Sequence, residues 1–165
     1  MCREQLITLF CTCLIAYTGS SAQFFGYAGA AIALVFANIG AAYGTAKSSI
    51  GIANMGMVDQ TKIFRALIPI IFSGILGIYG LIIAVLMSAK VKDADIQNGY
   101  KIFSAGICCG MSGLASGLAI GVAGEAGVKA YAQTEHIFVG MILIMIFAEA
   151  IGLYGLIIAI IMTTG

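Results

Sequence analysis

IFVGMILIMIFAEAIGLYGLIIAIIM, residues Ile137 to Met162, is apolar from end to end except for one carboxylate, Glu149. About 20 apolar residues cover the roughly 30 Å of bilayer hydrocarbon, so this stretch reads as a spanning helix with an acid near its middle. A charged acid there costs about 2.5–3.5 kcal/mol on insertion scales. Low dielectric disfavours the charged form, and burying a carboxyl without use is expensive. Glu149 is therefore the candidate proton carrier, set against the plainer reading of a structural glutamate hydrogen-bonded inside a bundle.

The rest of the chain agrees with a membrane class. Of 165 residues, 61% are hydrophobic and only 9% charged, against roughly 25% charged in soluble domains. Mean hydropathy is +1.08. The net charge of +1 offers no acidic or basic block, and nucleic acid is not an expected partner. Apart from Glu149, the charged residues fall in loops, near the N-terminus or at expected helix ends. Four segments are long and apolar enough to span: 24–46, 66–88, 102–126 and 137–162. A spanning segment must satisfy its own backbone, so each is expected to be helical. The connections are short, which makes successive helices antiparallel neighbours. The fold class is all-α, with four transmembrane helices.

Residues 1–22 stand apart. Leu6–Tyr17 is too short to span; Arg3 precedes it and Ser20-Ser21-Ala22 follows, like a small-residue cleavage site. A cleaved signal peptide and an N-terminal extension both fit. The Lys and Arg distribution leans toward cytosolic first and third loops and lumenal termini.

The chain repeats itself. Ile75-Leu76-Gly77-Ile78-Tyr79-Gly80-Leu81-Ile82-Ile83-Ala84 returns at an offset of 75 as Ala150-Ile151-Gly152-Leu153-Tyr154-Gly155-Leu156-Ile157-Ile158-Ala159. Segments one and three align best at an offset of 73, where Gly40, Gly44 and Gly51 fall on Gly113, Gly117 and Gly124. The protein reads as a duplicated helical hairpin, 23–99 and 100–165, with both halves in one orientation. Under the first of these alignments Gly74 stands where Glu149 stands, so only one half has the acid.

Gly106, Gly110, Gly113, Gly117, Gly121 and Gly124 share one helical face. Small faces let backbones approach closely in lipid. Pairing inside one chain is the plain reading. The preferred expectation is that segments one and three pack against counterparts in neighbouring copies, as the inner wall of a ring, with segments two and four outside. Tyr79 could lend its hydroxyl to Glu149, although Tyr154 recurs without a matching acid. Glu125 and Lys129 read as a helix-end i,i+4 pair. Lys47-Ser48 fails the phosphate-loop pattern, because Ala41 and Ala46 replace its glycines. The five cysteines, Cys2, Cys11, Cys13, Cys108 and Cys109, have no zinc spacing, and no metal or cofactor is expected.

Gly40-Ala41-Ala42-Tyr43-Gly44-Thr45-Ala46-Lys47-Ser48, Pro69 with Ile78-Tyr79-Gly80, and Phe147-Ala148-Glu149 with Gly152-Leu153-Tyr154-Gly155-Leu156 together resemble the proteolipid c subunit family of vacuolar-type proton-pumping ATPases. The resemblance implies a rotor ring of such subunits in an acidic endomembrane such as the vacuole. It implies Glu149 as the proton-carrying acid, an a subunit bearing an arginine, central-stalk subunits, and ATP hydrolysed elsewhere; this chain has no nucleotide site and is not itself the catalyst. Sodium-pumping relatives place a Thr-Gln pair before GxYG and a Gln in the third helix. Ile75-Leu76 and Ile120 stand there instead, which implies a proton as cargo. The rivals are a junctional or pore-forming protein, a small proton-coupled exporter, and an ATP-synthase c subunit, against which the duplication argues.

Overall fold

The computed structural model describes residues 21–91 and 96–164. Both readings of residues 1–22 fall largely outside that range, as do Cys2, Cys11 and Cys13. Four long helices carry the fold: α1 (Ser21–Gly56), α2 (Ile68–Lys90), α3 (Ile96–Gln133) and α4 (Ile137–Thr164). Each belongs to a stretch long and apolar enough to cross a membrane. A short 3-10 turn, Gln60–Lys62, and one helical turn, Ile63–Ala66, join α1 to α2. Pro69 sits in the first turn of α2, where its missing N–H leaves nothing unsatisfied.

Helices α1 and α3 are longer than hydropathy predicts. Segment one ends at Ala46 on that criterion, yet α1 continues to Gly56; segment three ends at Ala126, yet α3 reaches Gln133. At 1.5 Å per residue, α1 and α3 are about 54 and 57 Å long. A hydropathy window stops at the first charges, whereas a helix continues wherever its side chains find partners. Here they do. Lys47 of α1 and Lys129 of α3 both reach Glu125, at 3.3 and 2.7 Å. The expected Glu125–Lys129 pair is present, but it lies inside a helix and gains a third member that ties α1 to α3.

α1 and α3 pack on each other most extensively; α2 lies against α1 and α4 against α3. The glycine stripes meet within the chain. A Cβ on Gly40 would sit 2.6 Å from the Gly113 carbonyl oxygen and 2.8 Å from Leu114 Cα, and Gly117 abuts the backbone of Gly40. Gly51 faces Glu125, Gly106 meets Gly29, Gly110 meets the Ile32 carbonyl, and Gly121 meets Gly44. Gly124 faces Ser48 and Pro69. This corrects the expectation that the stripes serve neighbouring copies. Two small faces on one chain find each other first, and dispersion between close backbones holds them.

Candidate functional site

Glu149 lies near the middle of α4, about 18 Å along the axis from its start and about 22 Å from its end. Its side chain turns inward and is only 8% exposed. Its α4 neighbours Met145 and Ala148 belong to an apolar cluster that also includes Leu76 and Ile120, with Phe72 and Tyr79 packed against it. Leu76 and Ile120 are fully buried. No side-chain oxygen stands at either position to replace an ion's hydration shell.

Among the described residues, neither carboxyl oxygen of Glu149 has a hydrogen-bond partner. The Tyr79 hydroxyl is close enough to act on the carboxyl, but no hydrogen bond closes between them. The structure therefore brings Tyr79 and Glu149 to one seam, between α2 and α4, and leaves the carboxyl without a donor. Leu76 packs at the same seam: a Cβ on Gly152 would lie 2.7 Å from Leu76 Cδ2.

Two serines that the sequence reading passed over secure this level of the bundle. Ser116 of α3 donates to the Ala148 carbonyl, one residue before Glu149, at 2.7 Å. Ser73 of α2 donates to the Ala41 carbonyl of α1 at 2.8 Å. Positions 41 and 73 correspond to 116 and 148 at an offset of 75, so this is one interhelical bond with donor and acceptor exchanged. The close approaches follow the same offset. Gly77 faces Ala41 as Gly152 faces Ser116, and Gly80 faces Ala37 as Gly155 faces Ser112. The hairpins thus repeat structurally at 75 throughout, not at the 73 suggested by the glycines of α1 and α3. A serine directly before Gly74, the counterpart of Glu149, was the available signal.

The two helix ends are tied differently. At the end formed by the first and third connections, Lys62 lies 3.0 Å from Glu135 and 3.5 Å from Asp59, and its ammonium stands 5.7 Å from the centre of the Tyr131 ring. Asp59 accepts from the Thr61 hydroxyl at 2.6 Å and its amide at 3.0 Å. These bonds, with Lys62 beside them, hold the Asp59 carboxyl below the usual carboxylate range. At the opposite end Lys90 donates to the Thr163 carbonyl at 2.7 Å, capping the last turn of α4 with a cation.

Comparison with known proteins meets the same repeat. The family model for the C subunit of ATP synthase matches residues 28–87 and again 103–162, so the second match follows the first at the structural offset. The chain belongs to this family. The second form of the 16 kDa proteolipid c subunit of the V-type proton ATPase in Caenorhabditis elegans is 50% identical over 147 residues, covering 87% of this chain and 91% of the relative. The V-type proton ATPase 16 kDa proteolipid subunit of Chrysotila carterae is 50% identical over 151 residues, covering 87% of this chain and 92% of the relative. The V-type proton ATPase 16 kDa proteolipid of Homo sapiens is 49% identical over 144 residues, covering 87% of this chain and 93% of its own length. The family model covers one hairpin and fits this chain twice, so the chain carries the family's hairpin in duplicate, and it is a multi-pass membrane protein.

Proposed function

We propose that this chain is a proton-carrying rotor-ring subunit of the membrane sector of a vacuolar-type ATPase, with Glu149 as the carrier. The observation that supports this reading is a mid-span carboxyl, buried among apolar side chains, with neither oxygen hydrogen-bonded among the described residues. Protonated, the group is neutral and passes the lipid-facing part of a rotation without the cost of a bare charge. It ionises only where a polar path and a partner cation meet it. The resemblance supplies that cation as an arginine on the a subunit. Moving a charge against the membrane potential costs about 2.3 kcal/mol per 100 mV, which ATP hydrolysis on soluble subunits must provide. Leu76 and Ile120, buried in the apolar cluster that Ala148 joins next to the acid, favour a proton over sodium. Tyr79 is its supporting neighbour at the α2–α4 seam.

The first and third connections face the cytosol on this reading, and the termini face the lumen of an acidified organelle. Met57, Val58 and Phe64 protrude at the loop end, the last 86% exposed, and offer the central stalk an apolar foothold. The deciding experiment replaces the acid in the assembled complex. Glu149→Gln keeps size and neutrality; the ring should assemble while ATP-driven acidification stops. Unchanged pumping by Glu149→Gln refutes the assignment.

A further inference from the structure

A serine inside a helix commonly returns its hydroxyl to a carbonyl one turn back. Two serines of α3 do so: Ser104 donates to the Lys101 carbonyl at 2.9 Å and Ser112 to the Cys109 carbonyl at 3.0 Å. Ser116, one turn after Ser112, does not. Fully buried, it crosses to α4 and donates to the Ala148 carbonyl at 2.7 Å. It also seats the following turn, because a Cβ on Gly152 would lie 3.4 Å from both its Cβ and its Oγ. One side chain thus grips α4 from 148 to 152, and Glu149 lies within that turn.

A helix gripped at one turn is fixed in rotation. Each residue points about 100° from the last, so holding Ala148 and Gly152 against α3 sets the direction of Glu149. That direction is at the rim of the buried face. Leu153, about 40° round the helix from Glu149 on the side away from Ala148 and Gly152, is already 38% exposed. Ile146, about 60° round on the same side, is 48% exposed, against 8% for Glu149. A modest turn of α4 therefore carries the carboxyl to the surface, and the Ser116 bond opposes that turn. Both partners of the bond are neutral, so it can open and close without moving charge through lipid. The first hairpin holds the same bond without an acid, from Ser73 to the Ala41 carbonyl, with the donor on the other helix.

We propose that Ser116 is a positioning residue for proton transfer: its bond to the Ala148 carbonyl holds α4 at the rotation that keeps the Glu149 carboxyl inside the seam, and so governs how readily the carboxyl reaches the surface. The proposal deepens the reading of Glu149 as the carrier and rests on it, but its test does not depend on transport.

The test is the rate at which dicyclohexylcarbodiimide, an apolar reagent, modifies Glu149 at one pH in membranes holding the assembled complex. Ser116→Ala should speed modification about threefold, the population shift that a membrane hydrogen bond of average strength supplies. Ser73→Ala removes the equivalent bond from the acid-free hairpin and should leave the rate unchanged. Exchanging the pair, Ser116→Ala with Ala148→Ser, recreates the arrangement of the first hairpin and should restore the original rate. Ser116→Cys keeps a weaker donor; its rate should lie between those of the unaltered chain and Ser116→Ala, and it stands in if Ser116→Ala does not assemble. An unchanged rate in Ser116→Ala or Ser116→Cys, equal acceleration by Ser73→Ala, or no recovery in the exchanged pair would overturn the proposal. Failure of the carrier reading shows separately, as pumping by Glu149→Gln.

Discussion

Among the described residues Glu149 has no donor on either oxygen, and the cluster that its neighbour Ala148 joins with Phe72, Leu76 and Ile120 is apolar, so on the proposed reading its chemistry depends on being neutral. Dicyclohexylcarbodiimide attacks protonated carboxyls in apolar surroundings, and selective modification of Glu149 is expected. Peptide mass spectrometry checks this; labelling at Glu125 instead would sink it, because Glu125 is held by Lys47 and Lys129. The serine bonds are small terms. Hydrogen bonds between membrane helices average about 0.6 kcal/mol, so Ser116→Ala and Ser73→Ala should each lower the thermal midpoint in detergent slightly and alike. A much larger loss from either would mean that the hydroxyl does more than join two helices. Glu149 could be read from the sequence because a lone acid in an apolar run needs no partner to be noticed. Ser116 could not, since its acceptor lies on another helix, far along the chain.

The helices differ in what they tolerate. Gly40 faces backbone at 2.6 and 2.8 Å, whereas Gly113 meets Ala37 at 3.3 Å. Overpacking costs about 1–3 kcal/mol, and Gly40→Ala should incur that loss, while Gly113→Ala should cost about 1 kcal/mol or less by the same scale. Comparative denaturation of the two variants decides, and equal losses would contradict the packing described. The 3-10 turn carries a pH dependence. The Asp59 carboxyl is held below its ordinary range by Thr61, so its contribution is complete above the unfolded value, about pH 3.9. It is lost as pH falls through the lower folded value. Hydrogen exchange at Thr61 should stay slow, relative to Asp59→Ala, down to about pH 4 and rise only below it. A rise near neutrality would exclude the carboxylate as the cause. Hydropathy predicted the number of helices but not their ends, because Lys47 and Glu125 look like boundaries until they are seen to pair across α1 and α3.

If the chain works as proposed, every carboxyl of the ring passes the same exit path. One blocked Glu149 should therefore halt all the others, and activity should vanish when about one carboxyl per ring is modified. Counting label against residual pumping tests this, and a loss proportional to label would mean that carriers work independently. What the sequence alone determined is the class of molecule: apolar length sets four spans, the internal repeat sets two hairpins, and a lone acid marks the candidate site. Each of these is written in local spacing. Tertiary structure decided how the pieces face one another: glycine stripe against glycine stripe within one chain, Tyr79 turned to Glu149, and Gly74 left open. The slip between the 73 and 75 alignments is visible in the sequence. Its meaning as a half-turn of the helix, and so as a choice of partner, appears only once the helices are packed.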